Sequence, residues 1–459
     1  MLRPRHAVLV FGVLCAAALT PAVHAAPSRS LIRLPGPLGC LSELGDPACT
    51  HARVGDVQDI EMSPDGRHLY VATAYTIWTF ARDTVNGTLR RVPDRRGCIR
   101  HRSPRARCGP ARAMSGIREI AISPDGRHVY VAAQNSRSIT ILRRAPDTGR
   151  LRQDFRRRGC VSQFRSPCRR TRGGVAFPEA VAVSPDGRNV YAASSTSVGL
   201  HGDGAVAVFS RNTRNGLLRQ AHGRRGCLSD GGDEGCMPAR AIAGATAITS
   251  TPDGRGVYVA ATLPRLGRIA VFRRLPGGAL RQPRARHGCL VASGRRRLRA
   301  RLRCAGARGL GLPTSLVMSP DARSMYIPQG DSDRVLIFKR TPDGPLRQLS
   351  GRRGCVAWAG GQCASARAFP DPLGAAVSPD GRNVYFGTSI GMAAFRRAST
   401  GALRQLPGRF GCEDFFGGER CRETRVSTEG TGKVVAIAPD ARHVYMGSNG
   451  LIELFRRMP

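Results

Sequence analysis

The sequence predicts an all-β fold: a seven-bladed β-propeller with four antiparallel strands per blade. Three observations predict it. The phrase SPDGRHLY at 63–70 recurs as SPDGRHVY (123), SPDGRNVY (184), TPDGRGVY (251), SPDARSMY (319), SPDGRNVY (378) and APDARHVY (438). Each copy is followed by a short strand-like segment ending in basic residues, and then by a Leu placed nine residues before a Cys. Finally, the last copy lacks that Leu–Cys segment, and the missing piece stands at the other end of the chain. A repeat this long that carries several short strands is the mark of a propeller or an array.

Taken in chain order, the elements begin with a secretory signal over 1–25. Arg3 and Arg5 form its basic start, 7–19 is a short apolar run, and VHA at 23–25 supplies small residues for cleavage. The apolar run is too short to span a bilayer comfortably, and no later segment is better suited. Residues 26–459 are then one propeller, in which 28–40 (containing SLIRLPGPLGC) completes the blade formed by 433–459.

Within each blade the first strand is small and apolar, as in IREIAI (117–122) or EAVAV (179–183). That suits the narrow space near a propeller axis. Ser-Pro-Asp-Gly then turns the chain: Pro presets φ, Asp tolerates the second central position and Gly supplies φ > 0. Ala322 and Ala441 replace that Gly in two copies, so those turns are expected to be strained or differently wound. The second strand, as in HVYVAAQ, carries β-branched and aromatic residues, and seven of the eight tyrosines fall at its one Tyr position. Third strands read IWTFAR, ITILRR, VAVFSR, IAVFRR, VLIFKR, MAAFRR and IELFRR, and fourth strands follow a Gly-containing turn, as in RLRQDFRRRGC. Because the N-terminal segment supplies the fourth strand of the last blade, the ring closes and its edges are removed.

Cys15 lies in the signal, which leaves 14 cysteines. They fall as Cys40 with Cys49, Cys98 with Cys108, Cys160 with Cys168, Cys227 with Cys236, Cys289 with Cys304, Cys355 with Cys363, and Cys412 with Cys421. There is one pair per blade, between its fourth strand and the next first strand. Zinc needs four ligands in fixed spacing, and thioredoxin-like chemistry needs Cys-x-x-Cys. Neither pattern occurs, so disulfides in an exported protein are expected, with no metal and no cofactor.

Charge is the other extreme feature: 72 Lys and Arg against 32 Asp and Glu, a formal +40. Such a surface attracts polyanions and says nothing of fold. The run GRRRLRARLRC (294–304) concentrates it, with Arg295, Arg296, Arg297, Arg299, Arg301 and Arg303. Leu298 and Leu302 are four apart, so a short helix would present them on one side. Arginine forks suit phosphate, sulfate or carboxylate groups.

The repeated SPDGRxVYVA followed by a VFxR-type strand resembles the YVTN-type propeller repeats and the lactonase-like seven-bladed propellers, which include the bacterial 6-phosphogluconolactonase type. The resemblance covers nearly the whole chain after the signal, and it implies the propeller fold and a site at one mouth of the central channel. The disulfide-bearing loops depart from the cytoplasmic lactonase pattern and point to an exported branch. Lactonase relatives resemble one another in a His-containing stretch before an inner strand. Here FPEAVAVS (177–184), GLPTSLVMS (311–319) and FPDPLGAAVS (369–378) stand in its place without His.

Loops from fourth to first strand and from second to third strand share one propeller face. The residue five before each turn Ser should sit at the channel mouth there: Gln58, Arg118, Glu179, Thr246, Thr314, Leu373 and Lys433. Arg118, Glu179 and Lys433, with Asp59 and Glu119 beside them, would form a polar cluster able to hold a small anionic or sugar-like ligand. His201 and Asp203 lie in the longest second-to-third-strand loop of that face. His68, His128 and His443 share one repeat position and are expected to be structural surface residues. Asp331 and Asp333 could touch Ca²⁺ but are too few to make a site alone.

The expected function is therefore an exported binding scaffold, secreted or in the cell envelope, which contacts an anionic polymer or lipid surface or a protein partner. A small-molecule ligand at the channel mouth is compatible with it, and nucleic acid is not the expected partner outside the cell. The alternative is a lactonase-type hydrolase using Glu179, Arg118 and His201 at the mouth.

Overall fold

Seven separate sheets surround one axis, each built from one repeat. The computed structural model describes residues 31–458 except 44, 103–107, 165–166, 196–203, 233–234, 264–265, 343, 416–417, 419 and 424–433. The expected signal lies outside the described residues.

Blade 2 represents the pattern. Its first three strands, Ile117–Ile122, His128–Ala133 and Ser138–Arg144, form an antiparallel meander from the axis outward. The fourth strand is broken. Leu151–Gln153 pairs with the lower part of the third strand and Cys160–Ser162 with its upper part, and a 3-10 turn at Arg157–Gly159 separates them. Arg169–Arg170 then adds a short parallel edge. The four-stranded expectation is thus refined to a six-piece sheet in every blade.

In blade 7 the third strand, Leu451–Arg457, pairs with Leu31–Arg33 and Cys40–Ser42 from the N-terminal part of the chain. Leu31 faces Arg457 and Cys40 faces Glu453. Chain start and chain end therefore share one sheet, and no blade presents an unfilled outer edge.

One residue set explains most of the repeated phrase. Every repeat Tyr is fully buried, and Tyr130 donates its hydroxyl hydrogen to Gly216 O in the outer turn of blade 3 at 2.8 Å. Arg211 of blade 3 reaches back, donating from Nε to Tyr130 Oη at 2.7 Å and from Nη2 to Asp125 of the turn at 2.8 Å. The same Arg–Asp clip recurs as Arg144–Asp65, Arg274–Asp186, Arg340–Asp253, Arg397–Asp321 and Arg457–Asp380, and Arg82–Asp440 closes the circle between blades 1 and 7. Burial works to raise the Asp125 pKa, but hydrogen bonds from Ser123 and Arg211 outweigh it and bring the group down to about 2. A buried guanidinium needs such a partner, since unpaired charge in the interior is costly.

The repeat histidines belong to this clip, which corrects the expectation that they lie on the surface. His68, His128 and His443 are 4%, 1% and 2% exposed, and their Nδ1 atoms lie 2.8–2.9 Å from Arg144, Arg211 and Arg82. Burial and then the neighbouring Arg hold all three down to about 4, so they are neutral at pH 7. Asn189 and Asn383 substitute at the same position, each accepting from the clip arginine through Oδ1. The turn glycine of the following blade must stay small because a Cβ on Gly216 would collide with the His128 ring.

Ala322 and Ala441 wind like the glycines they replace, with φ of 55° and 58°, so the strained alternative holds. Each costs about 1 kcal/mol relative to Gly. Hydrophobic clusters span neighbouring blades rather than filling single ones. One joins Tyr70 and Ile77 of blade 1 to Ile120, Val131 and Leu142 of blade 2.

All seven expected cysteine pairs are disulfides, with Cα–Cα separations of 4.8–5.0 Å. No described helix is long and apolar enough to cross a membrane.

Candidate functional site at the channel mouth

The inner strands of blades 1 to 4 each carry a β-bulge at the position singled out by the repeat. Val57 pairs with Thr73 and Asp59 with Ala72, leaving Gln58 as the extra residue. Arg118, Glu179 and Thr246 are the extra residues of the next three blades. A bulge re-aims a side chain and locally breaks the ladder, which is why bulges cluster beside functional sites. In blades 5 and 6 the described inner strands begin only at Val317 and Gly374, after the corresponding Thr314 and Leu373. The mouth is therefore asymmetric although the ring is repetitive.

Two of the bulge residues meet. Arg118 Nε donates to Glu179 Oε2 at 3.0 Å, with the Arg118 side chain 46% exposed and that of Glu179 11% exposed. Ser195 Oγ donates to Glu179 Oε1 at 2.9 Å, and Gln134 Nε2 donates to the same oxygen. The carboxylate is thus fixed by three donors, two from strands and Gln134 from the turn after His128–Ala133. Arg118 makes this contact through Nε.

The other expected residues separate. Gln58 turns to Asp56, donating from Nε2 to Oδ2 at 3.0 Å. Thr314 Oγ1 donates to Leu373 O at 2.9 Å, so these two join blades 5 and 6 without a charged group. Lys433, His201 and Asp203 lie outside the described residues, although the segment with His201 directly follows Ser195. Asp331 and Asp333 accept from the backbone N–H groups of Leu312 and Asp371 at 3.0 and 2.9 Å, which makes them loop caps. Among the described residues no group of three or more His, Cys, Asp or Glu could hold a metal ion.

Sequence reasoning missed Gln134 and Ser195. The signal was present: each lies four residues after its repeat Tyr, where the second strand reaches the mouth. It also missed what the acidic residues below do. Asp59 Oδ2 accepts from Ile120 N at 2.8 Å, and Glu119 Oε2 from Val181 N at 2.7 Å. An inner strand has no ladder partner on its axial side, and here a carboxyl group from the preceding blade supplies the acceptor. Burial pushes Asp59 up to about 7 and Glu61 up to about 8, with the charge of Asp59 adding to Glu61. Glu119 rises well above the carboxylate range for the same two reasons.

The helix expected in the arginine-rich loop forms over Arg296–Leu302, inside the Cys289–Cys304 loop. Leu298 and Leu302 pack against that disulfide as their spacing implied. Arg299 is not part of an open patch: its Nη1 donates to Ser293 O at 3.1 Å. Arg295, Arg296, Arg297, Arg301 and Arg303 are exposed.

A family model described as "Lactonase, 7-bladed beta-propeller" matches residues 47–161, which span blades 1 and 2 with the bulged Arg118. The chain is a seven-bladed β-propeller, similar to that family over its first two blades. Among solved structures, the propeller is similar to the periplasmic gluconolactonase of Pseudomonas aeruginosa (19% identity, TM-score 0.52, covering 88% of this chain and 91% of that one). A Bacteroides uniformis protein assigned as a 6-phosphogluconolactonase gives 16% identity and TM-score 0.51, over 76% and 83% of the two chains. The hydrazine synthase of Kuenenia stuttgartiensis gives 13% identity and TM-score 0.51, over 89% and 97%. Likeness at this level carries the fold alone, and one fold hosts many chemistries. No curated protein sequence matches the chain.

Proposed function

We propose that the lactonase-like propeller hydrolyses a small, polar sugar-type lactone at the channel mouth, in an oxidising compartment outside the cytosol. One observation carries the reading: the bulges of blades 2 and 3 bring Arg118 and Glu179 to 3.0 Å at the mouth where lactonase-like propellers are expected to bind. Arg118 would donate through Nη to the lactone carbonyl and to the carboxylate that forms from it, so the interaction strengthens as charge develops. Glu179, held by Gln134, Ser195 and Arg118, would orient the attacking water or a ring hydroxyl. Lactone opening adds water across the acyl C–O bond and releases a hydroxy acid. The comparisons favour this hydrolase over the purely binding scaffold expected from the missing His. Seven disulfides support the compartment, since such bonds persist where the medium is oxidising.

The test is acid release from glucono-δ-lactone in a pH-stat near pH 6.5, above the uncatalysed rate. Arg118→Ala and Glu179→Gln should each lower kcat/KM by about 100-fold or more, with the melting temperature unchanged. Catalysis that survives both substitutions would remove the mouth from the mechanism.

A further inference from the structure

A second, independent feature lies on the outer flank between blades 2 and 3. Two adjoining hollows of about 410 and 810 Å³ share Arg158 and Leu217. The first also holds Arg143, Arg152 and Arg156, and the second Arg157, Arg169 and Arg170. All seven arginines are exposed. The only acidic lining residue is Asp154, whose Oδ1 already accepts from Arg156 N at 2.9 Å.

The arrangement is costly without an anion. Arg143 and Arg152 stand directly opposite each other across the third and fourth strands. Directly opposed like charges destabilise a sheet. The adjacent Arg144 points the other way and is neutralised by Asp65, whereas the groove arginines have no ion pair among the described residues. The opposed pair recurs as Arg273–Arg281, Lys339–Arg347 and Arg396–Arg404 in blades 4, 5 and 6. The chain thus repeatedly places cations where the fold alone would disfavour them.

We infer that this groove binds a linear anionic polysaccharide bearing carboxylate, sulfate or phosphate groups. The cations follow the fourth strand from the outer hairpin to the Cys160–Cys168 loop, a path a flexible chain can track and a flat bilayer cannot. Phe164 and Leu217 offer apolar surface for the C–H faces of sugar rings. Planar guanidinium forks match planar or tetrahedral oxyanions in two-point contacts. An oxidising compartment, to which the seven disulfides point, is one where carbohydrate rather than nucleic acid supplies the polyanion.

The experiment uses the full disulfide-bonded protein with octasaccharides of heparin and of polygalacturonate, a single-stranded DNA of equal charge, and anionic phosphatidylglycerol vesicles, all at about 150 mM salt, where bulk charge effects are damped. Arg152→Gln/Arg158→Gln/Arg169→Gln should weaken octasaccharide binding by about tenfold or more. The control with the same charge loss, Arg295→Gln/Arg296→Gln/Arg297→Gln, should change it by less than about threefold. In the unmutated protein, bound octasaccharide should protect Arg152, Arg158 and Arg169 from phenylglyoxal, read by peptide mass spectrometry, which does not depend on any variant folding. Equal losses in the two variants, absence of octasaccharide binding, absence of protection, or tighter groove-dependent binding of DNA or vesicles would each overturn the proposal. Lactone hydrolysis is read separately, so failure here leaves the mouth reading intact.

Discussion

At the scale of single residues, position in the repeat decides whether a polar group is structural or available for chemistry. The arginine closing each third strand is committed to an Asp of the neighbouring blade, and so cannot serve a ligand. Arg118 escapes this fate because a bulge turns it to the mouth. Glu61 gives a residue-scale prediction about pH. Its pKa rises from 4.5 to about 8, through burial first and then the charge of Asp59. Below pH 4.5 the carboxyl is protonated in both folded and unfolded chains. Between 4.5 and 8 the unfolded chain releases the proton while the fold retains it, so stability from this group is lost as pH rises across that window. Glu61→Gln removes the titration and keeps an oxygen for Ile122 N. It should leave the melting temperature unchanged at pH 4 and raise it by about 1–3 °C at pH 8. Scanning calorimetry at the two pH values measures this, and an equal effect at both would refute the linkage.

At the scale of elements, the broken fourth strand and its disulfide form one device. The 3-10 turn interrupts the strand, the upper half resumes at the first Cys, and the second Cys pins a short parallel edge such as Arg169–Arg170 against Val161–Ser162. A two-residue strand cannot hold itself in place, so the covalent link supplies the constraint. Replacing Cys160 and Cys168 together by Ser should lower unfolding free energy by about 2–3 kcal/mol in the chain-entropy account. Urea titration followed by fluorescence would detect it. An unchanged midpoint would mean that the pairing of the edge needs no disulfide.

At the scale of the whole molecule, closure is the cooperative event. Residues 31–42 supply the outer pieces of blade 7, and Arg82–Asp440 links that blade to blade 1. A chain that lacks residues 26–50 would expose the edge of Leu451–Arg457 and break the ring at one seam. It should aggregate at micromolar concentration and be cut rapidly by trypsin, whereas the full chain resists. A soluble, protease-resistant truncation would contradict closure by the N-terminal segment.

The sequence by itself determined the architecture, because a seven-times repeated phrase samples the same local physics seven times. Turn chemistry, strand alternation, Leu–Cys spacing and the displaced end segment were all local or periodic signals. It also determined the disulfide partners, since each pair closes a short loop. Tertiary structure alone decided what the repeated Tyr, Asp, Arg and His were for, because their partners lie in a neighbouring blade and leave no mark in local pattern. The same reason explains the site. Arg118 and Glu179 stand 61 positions apart, and only the bulges and the radial stacking of blades bring them together. Gln134 and Ser195 were legible as a repeat position but not as ligands of one carboxylate. The groove arginines read as undifferentiated charge until strand register set Arg143 against Arg152, because register is a property of the folded sheet and not of the sequence run.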